Sequence, residues 1–239
     1  MTKVHIIIPI YNQWLLVHAL LWKLQKLERD TLSSIYLIND CSPDAEVAGG
    51  MKWWTNQYGS KFPIYAINNE ENLGFLKTSN LGLQMVAGLD STLPEDILIL
   101  LNTDVQVNGK FIYQIKDIIA GNPKSLIGGN LYNHNTGWNS FNGRIFPYLE
   151  GWLLATTVSN WAELGYFDER YSPNDMEDID LSTEAIKKGY EIVPLNNPML
   201  CHLGAQSLGY TEKRQAITMK NKEKFRKKWI NDYPTLYKT

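Results

Sequence analysis

The sequence predicts an α/β protein built on a doubly wound, mostly parallel sheet flanked by helices, and three observations carry that prediction. Through the first half of the chain, β-branched apolar runs alternate with segments whose apolar residues recur at helical spacing. One run, Ile97-Leu98-Ile99-Leu100-Leu101, is a succession of branched aliphatics, the pattern of a strand buried on both faces. It ends on Asn102-Thr103-Asp104, and polar oxygens at a strand's carboxyl end lie where open α/β sheets hold ligands.

Taken in order, Val4–Ile10 reads as the first strand. Trp14, Val17, Leu20, Leu21, Leu24 and Leu27 form the apolar stripe of a helix that Asn12 is placed to cap. Ser34–Ile38 is a second strand ending in Asn39-Asp40, followed across a Pro/Asp turn by a helix from Ala45 to Tyr58. Pro63–Ile67 and Gly74–Val86 repeat the strand–helix pair, as do Ile97–Leu101 and Phe111–Ile119. The second half changes character. Residues 130–148, rich in Asn, Gly and aromatics, read as a long loop, mobile or acceptor-facing. Trp152–Thr157 reads as a strand, Val158–Leu164 as a short helix, Glu177–Lys188 as a helix stopped at Gly189, and Tyr190–Pro194 as the final strand. From Thr211 onward a basic helix is expected, with eight lysines and arginines between 213 and 228.

At 239 residues the chain fits one large domain, and 44% hydrophobic content supports a full core. A net charge of −2 argues against a general nucleic-acid binder. Cys41 and Cys201 make no disulfide framework, so a reducing compartment is expected. The apolar start breaks at Pro9, too early for a signal-peptide core or a membrane span, which predicts a cytoplasmic protein. G-x-G-x-x-G, G-x-x-x-x-G-K, C-x-x-C and H-E-x-x-H are all absent, so a dinucleotide fold, a P-loop and the common zinc motifs are not supported.

Three strand ends supply polar groups to the same half of the sheet: Tyr11 and Asn12, then Asp40, then Asn102 and Asp104. Asn102 and Asp104 are two apart and point the same way, and their oxygens suit a hard divalent cation carrying a phosphate; a polar turn closing a core strand is the alternative. Asp40 can accept a base N–H or serve as a turn residue before Ser42-Pro43. Gly74 permits a tight approach, and Lys77 in the first turn of its helix can face phosphate. Asp175, Glu177, Asp178 and Asp180 are four carboxylates within six residues. They suit either an acidic helix start or a general base desolvated beside a bound substrate. His202 follows where the chain returns toward the sheet.

In this order the segments resemble glycosyltransferase family 2 of the GT-A fold, from about Lys3 to Gly209. The matching pieces are Ile6-Ile7-Ile8-Pro9-Ile10-Tyr11-Asn12, Ile38-Asn39-Asp40-Cys41-Ser42, Asn72-Leu73-Gly74-Phe75, Leu101-Asn102-Thr103-Asp104, Phe167-Asp168-Glu169, Glu177-Asp178-Ile179-Asp180-Leu181 and His202, with Phe225-Arg226-Lys227-Lys228-Trp229 beyond them. The resemblance implies an inverting transfer of a sugar from a nucleotide diphosphate donor, UDP- or dTDP-linked, to a hydroxyl of a glycan or lipid-linked glycan. It implies that Pro9, Tyr11, Asn12, Asp40, Asn72, Gly74, Lys77, Asn102 and Thr103 surround the nucleotide. Asp104 and His202 would ligate Mn²⁺ or Mg²⁺, Asp178 would be the general base, and Glu177 is the second choice for that role. Asn102 departs from the paired acids of many relatives, which predicts a cation held weakly until nucleotide arrives.

Trp138 and Trp152, in and beside the long loop, are the expected acceptor-stacking residues. The expected organisation is a domain over 1–210, with a nucleotide half to about 125 and an acceptor half beyond it. A basic extension over 211–239 packs on the same domain and is suited to peripheral contact with anionic lipid headgroups. Two other readings compete: a sugar-1-phosphate nucleotidyltransferase, which would need a glycine- and base-rich first loop, and a non-catalytic sugar- or nucleotide-binding module, which would not need the Glu177-Asp178 pair.

Overall fold

Val4–Ile10 (β1) is buried at every position, as a β-branched run must be to lie in mid-sheet. The computed structural model of the protein describes residues 2–59, 62–204 and 211–233, with no side chain described for Lys213. After β1 come α1 (Trp14–Leu27), β2 (Ser34–Asn39), α2 (Ala45–Tyr58), β3 (Ile64–Asn68), α3 (Phe75–Ala87), β4 (Ile97–Leu101), β5 (Val105–Val107), α4 (Ile112–Gly121) and β6 (Ser125–Gly128). Four two-residue strands follow, β7 (Leu131–Tyr132), β8 (Ser140–Phe141), β9 (Arg144–Ile145) and β10 (Tyr148–Leu149). The chain continues through β11 (Leu153–Thr157), α5 (Val158–Leu164), a single 3-10 turn at Glu169–Tyr171, α6 (Glu177–Lys187), β12 (Glu191–Pro194), β13 (Leu200–His202) and α7 (Glu212–Trp229).

The main sheet has seven strands in the order β12-β6-β11-β4-β1-β2-β3. Every neighbouring pair is parallel except those made by β11, which runs antiparallel to both β4 and β6. The expected alternation thus yields a mostly parallel sheet with one reversed strand. One apolar layer packs between the sheet and α1, α2 and α4; a second packs on the other face with α3, α5, α6 and the end of α7.

Several expectations are corrected here. Asn12 does not cap α1: Gln13 occupies the cap position in a left-handed conformation, and no side chain bonds the helix end. Asn12 instead ties two turns together, donating its backbone N–H to Ser42 Oγ (2.8 Å) and accepting the Asp44 N–H on Oδ1 (3.4 Å). β12 is not the final strand, because β13 pairs antiparallel with β5 in a small separate ribbon. The stretch 130–148 is built rather than plain loop: β7 pairs with β10 and β8 with β9. Asn139 is fully buried there and bridges the carbonyls of His134 and Phe146.

The basic C-terminal helix is also absorbed by the fold. Phe225 and Trp229 are buried, and the carbonyls of Tyr171, Asn174 and Asp175 all accept from the buried Asn221 Nδ2. Lys228 pairs with Asp168 (3.1 Å) and Asp180 (2.8 Å), Arg214 with Asp175 (2.8 Å), and Arg226 and Lys227 with Glu223 on the same helix. Four of the eight basic residues expected to meet a lipid surface are thus ion-paired within the protein, Arg226 and Lys227 sharing one carboxylate. No helix among the described residues is long and apolar enough to cross a membrane. The expected domain ends at 210 and 239 lie outside the described residues.

Candidate active site

A cleft of about 590 Å³ opens at the carboxyl ends of β1, β2 and β4. Pro9, Tyr11, Asp40, Asn72, Gly74, Asn102, Thr103, Asp104 and His202 line it from the sheet side, and Asp175, Glu177, Thr211 and Arg214 from the helical side. Of the residues expected to surround a nucleotide, Asn12 and Lys77 are not in its wall. Lys77 sits on the exposed face of α3, whose buried face is taken by Leu76, Thr78, Ser79 and Asn80. The contribution of α7 through Thr211, Arg214 and Ile217 had no signal beyond basic charge in the sequence.

Asp40 is only 3% exposed, and its carboxylate already has work. Oδ1 accepts the Leu73 N–H (2.8 Å) and an Asn69 Nδ2 proton (3.1 Å), while Oδ2 accepts the Gly74 N–H (2.9 Å). Two carboxylate oxygens thus clamp the turn that opens α3, and Asn72 Nδ2 returns a bond to the Asp40 carbonyl. Gly74 holds φ 82° and ψ 164°, a region only glycine occupies without strain, and a Cβ there would lie 3.0 Å from Pro173 Cβ. Oδ2, with one bond, keeps acceptor capacity toward the cleft.

The β5–β13 ribbon sets His202 opposite Val105, and the Leu203 N–H donates to the Asp104 carbonyl at 3.0 Å. This register brings side chains nearly a hundred positions apart into contact: His202 Nε2 lies 3.3 Å from Asp104 Oδ1. On its other edge His202 Nδ1 is 3.6 Å from Glu150 Oε1, and the Trp152 indole stacks on the ring at 5.6 Å and 21°. Burial works against a charge on His202, but the Asp104 and Glu150 carboxylates outweigh it and lift its pKa to about 9. One carboxylate and one imidazole suit Mn²⁺ or Mg²⁺. Asn102 Oδ1, two residues before Asp104, is buried without a hydrogen-bond partner, as an oxygen awaiting a cation or a ligand donor would be. No cluster of three or more His, Cys, Asp or Glu forms a metal site among the described residues.

The four-acid cluster divides into two kinds. Asp175 is bound by Arg214 and Thr218, and Asp180 is buried and accepts from Tyr171 Oη (2.9 Å), Lys228 Nζ (2.8 Å) and Trp229 Nε1 (2.6 Å). These two dock α7. Glu177 and Asp178 have no cation partner among the described residues. Glu177 lines the cleft with Oε2 buried and unbonded, and burial, with the Asp178 charge beside it, pushes its carboxyl well up. Asp178 accepts from its own helix start, Ile179 N–H at 2.8 Å, and from Gly151 N–H at 3.3 Å. Burial and the Glu150 charge raise its pKa to about 7, against those two hydrogen bonds. Asp178 lies behind the cleft wall, toward Gly151.

Of the two expected acceptor tryptophans, one is buried against protein partners and the other is exposed outside the cleft. Trp152 is 5% exposed, with one face on His202 and its Nε1–H given to Glu150 Oε2 at 2.9 Å. Trp138 is 47% exposed but lies off the cleft, under Lys222 Nζ at 5.8 Å from its centroid. Trp152 is thus engaged by protein partners that spacing does not reveal. Glu150 is the polar residue beside this site that sequence reasoning missed; its one signal was an acid interrupting the apolar run Tyr148–Leu154.

Residues 5–176 match the family described as Glycosyl transferase family 2, a span that stops one residue short of Glu177. No curated protein matches the chain significantly. Among solved structures it is similar to GalNAc-T7 with UDP, GalNAc and Mn²⁺ (TM-score 0.74, 15% identity, covering 98% of this chain and 49% of that one). It is also similar to the mannosyltransferase PcManGT from Pyrobaculum calidifontis in complex with GDP-Man and Mn²⁺ (0.61, 16%, 80% and 54%). S. aureus TarS 1-349 in complex with UDP-GlcNAc is similar at 0.61, 18%, 90% and 64%. The chain thus spans about half to two-thirds of the length of these structures.

Proposed function

Because the chain belongs to glycosyl transferase family 2, we propose that it is an inverting, metal-dependent glycosyltransferase that moves a sugar from a nucleotide diphosphate to a hydroxyl acceptor, a glycan or lipid-linked glycan. The observation that carries this reading is the division of the site. Asp104 and His202 meet in the cleft, while Glu177, also in its wall, and Asp178, just behind it, are the acids of the helix start without a cation partner among the described residues.

On this reading Pro9, Tyr11 and Asn72 form the nucleoside wall, held in shape by the Asp40 clamp on the Leu73-Gly74 backbone. The spare acceptor capacity of Asp40 Oδ2 suits a base that presents a ring N–H, as uracil and thymine do in a UDP- or dTDP-linked donor. Asp104 and His202 would hold Mn²⁺ or Mg²⁺, with Asn102 beside them and the donor's own phosphates completing the coordination. When bound, the ion supplies Lewis-acid neutralisation of the departing diphosphate. Glu177 and Asp178 do the proton chemistry. Asp178, with a pKa of about 7, is poised to take the proton of the attacking hydroxyl near neutral pH. Burial and the Asp178 charge push the Glu177 carboxyl well up, which favours its neutral form beside an ionised Asp178. A non-catalytic module would have no use for two desolvated acids at the mouth of a helix.

The reading is tested by incubating the protein with a panel of UDP-, dTDP- and GDP-linked sugars and Mn²⁺, and measuring nucleotide diphosphate release with water as acceptor. Release from one donor, abolished by EDTA, is expected. Tight donor binding with no release from any donor would favour the binding module instead.

A further inference from the structure

Glu150 is the carboxylate beside the site that the mechanism above leaves without a role. It lies between β10 and β11, and its two oxygens live in different surroundings. Oε2 accepts from Asn130 Nδ2 (2.8 Å), Trp152 Nε1 (2.9 Å) and Tyr132 Oη (3.4 Å). Oε1 is turned to His202 Nδ1 at 3.6 Å. The His202 ring is therefore fixed on three sides: Trp152 stacks on its face, Asp104 meets Nε2 and Glu150 meets Nδ1. With three donors filling Oε2, Oε1 is the oxygen left to receive a proton from the imidazole.

We infer that Glu150 is a positioning residue that, with a cation bound, accepts the Nδ1–H of His202 and so leaves the Nε2 lone pair to ligate the cation beside Asp104. The inference rests on the donor-site reading above and concerns how that site is kept ready for its cation. A histidine ligand ordinarily gives its other ring N–H to a carboxylate or carbonyl, which fixes the tautomer and raises the basicity of the ligating nitrogen.

The asymmetry of the Glu150 oxygens makes an unusual ordering follow. In Glu150→Gln the amide oxygen must take the Oε2 side, because three donors point there. The NH₂ then faces His202 Nδ1, and an NH₂ donates. It requires Nδ1 to accept, which moves the ring proton to Nε2, the end that must ligate. Glu150→Ala removes the preference without imposing the opposite one. The near-isostere is thus more harmful than the truncation, whereas a residue that merely fills space or bonds Trp152 gives the reverse order.

The test is the dissociation constant of Mn²⁺ in the presence of saturating UDP, read from the electron paramagnetic resonance of free Mn²⁺, for the wild type, Glu150→Gln and Glu150→Ala. Weakening of about 10–100-fold is expected for Gln, as for lost outer-shell partners generally, and less for Ala. In parallel, ¹⁵N-histidine spectra of the wild-type Mg²⁺–UDP complex should show His202 protonated at Nδ1 alone, a readout that needs no variant to fold. Gln binding as tight as wild type, Ala weaker than Gln, or His202 protonated at Nε2 would each overturn the inference and leave the donor-site reading intact. A wild type that binds no Mn²⁺ with UDP would overturn that reading and the inference with it.

Discussion

Replacing Asp178 with Asn keeps the side chain's shape and its hydrogen bond to the Ile179 N–H while removing its capacity to take a proton. General-base assistance is worth roughly 10²–10⁴-fold, or about 2.7–5.5 kcal/mol at 1.36 kcal/mol per tenfold. The structure adds a pH signature to that range. Burial, with the charges of Glu150 and Asp175, holds the Asp178 pKa at about 7. The ionised fraction then climbs from about one-eleventh a pH unit below that value to about ten-elevenths a unit above it, so wild-type turnover rises roughly tenfold across the window. The stability effect has the opposite sign. A carboxyl whose folded pKa is raised stabilises the fold in its neutral form, a contribution present below the unfolded value of 3.8 and lost as pH rises through about 7. The Asn variant should therefore melt like the wild type in acid and above it in alkali. The assay is nucleotide release from the preferred donor across this pH range, with UDP affinity measured by calorimetry on the same samples. A variant that binds UDP normally and turns over at the wild-type rate would refute the assignment of the base, as would a wild-type profile flat through pH 7.

Three further outcomes follow from the geometry. Gly74→Ala forces a side chain into a backbone region reserved for glycine and against Pro173, a strain of about 1–3 kcal/mol; thermal unfolding should show that loss, and UDP affinity should fall because the Asp40 clamp moves. Asn221→Ala strips a donor shared by three buried-side carbonyls and should lower stability by about 1–3 kcal/mol, with an unchanged unfolding midpoint contradicting the role given to α7. Asn102→Asp adds a charge beside Asp104, so nucleotide-free protein should bind Mn²⁺ more tightly than the wild type; equal affinity would place Asn102 away from the cation.

The elements legible in the sequence were those whose signal is local. Five aliphatics in a row announce β4, and helical spacing from Trp14 to Leu27 announces α1, without reference to any other segment. β13 is three residues long and exists only because Val105–Val107 offers it an edge, so no pattern in Leu200-Cys201-His202 could reveal it. Nor does β11 betray its reversed direction, which depends on the neighbours it joins. The site shows the same divide. Asp104 stood out at a strand end, whereas its meeting with His202 was implied only by the order of motifs. Glu150 escaped because its importance comes from four neighbours scattered between Asn130 and His202. Trp152 shows a related divide: burial and partners, not ring chemistry, decide what an indole can hold. In α7 a signal was present and unread, since Thr218, Asn221, Phe225 and Trp229 fall on one helical face and all are buried.

On the proposed function, the cleft holds a nucleotide diphosphate through a cation at Asp104 and His202. Thermal unfolding with UDP, dTDP or GDP, each with and without Mn²⁺, tests it most directly. A ligand at about 100 times its dissociation constant adds roughly 2.7 kcal/mol, which for a domain of this size raises the midpoint by about 5–10 °C. That shift is expected for a nucleotide and Mn²⁺ together, with a much smaller one for either alone and none in His202→Ala. A wild type that melts at the same temperature under every combination, or a shift that His202→Ala retains in full, would contradict it.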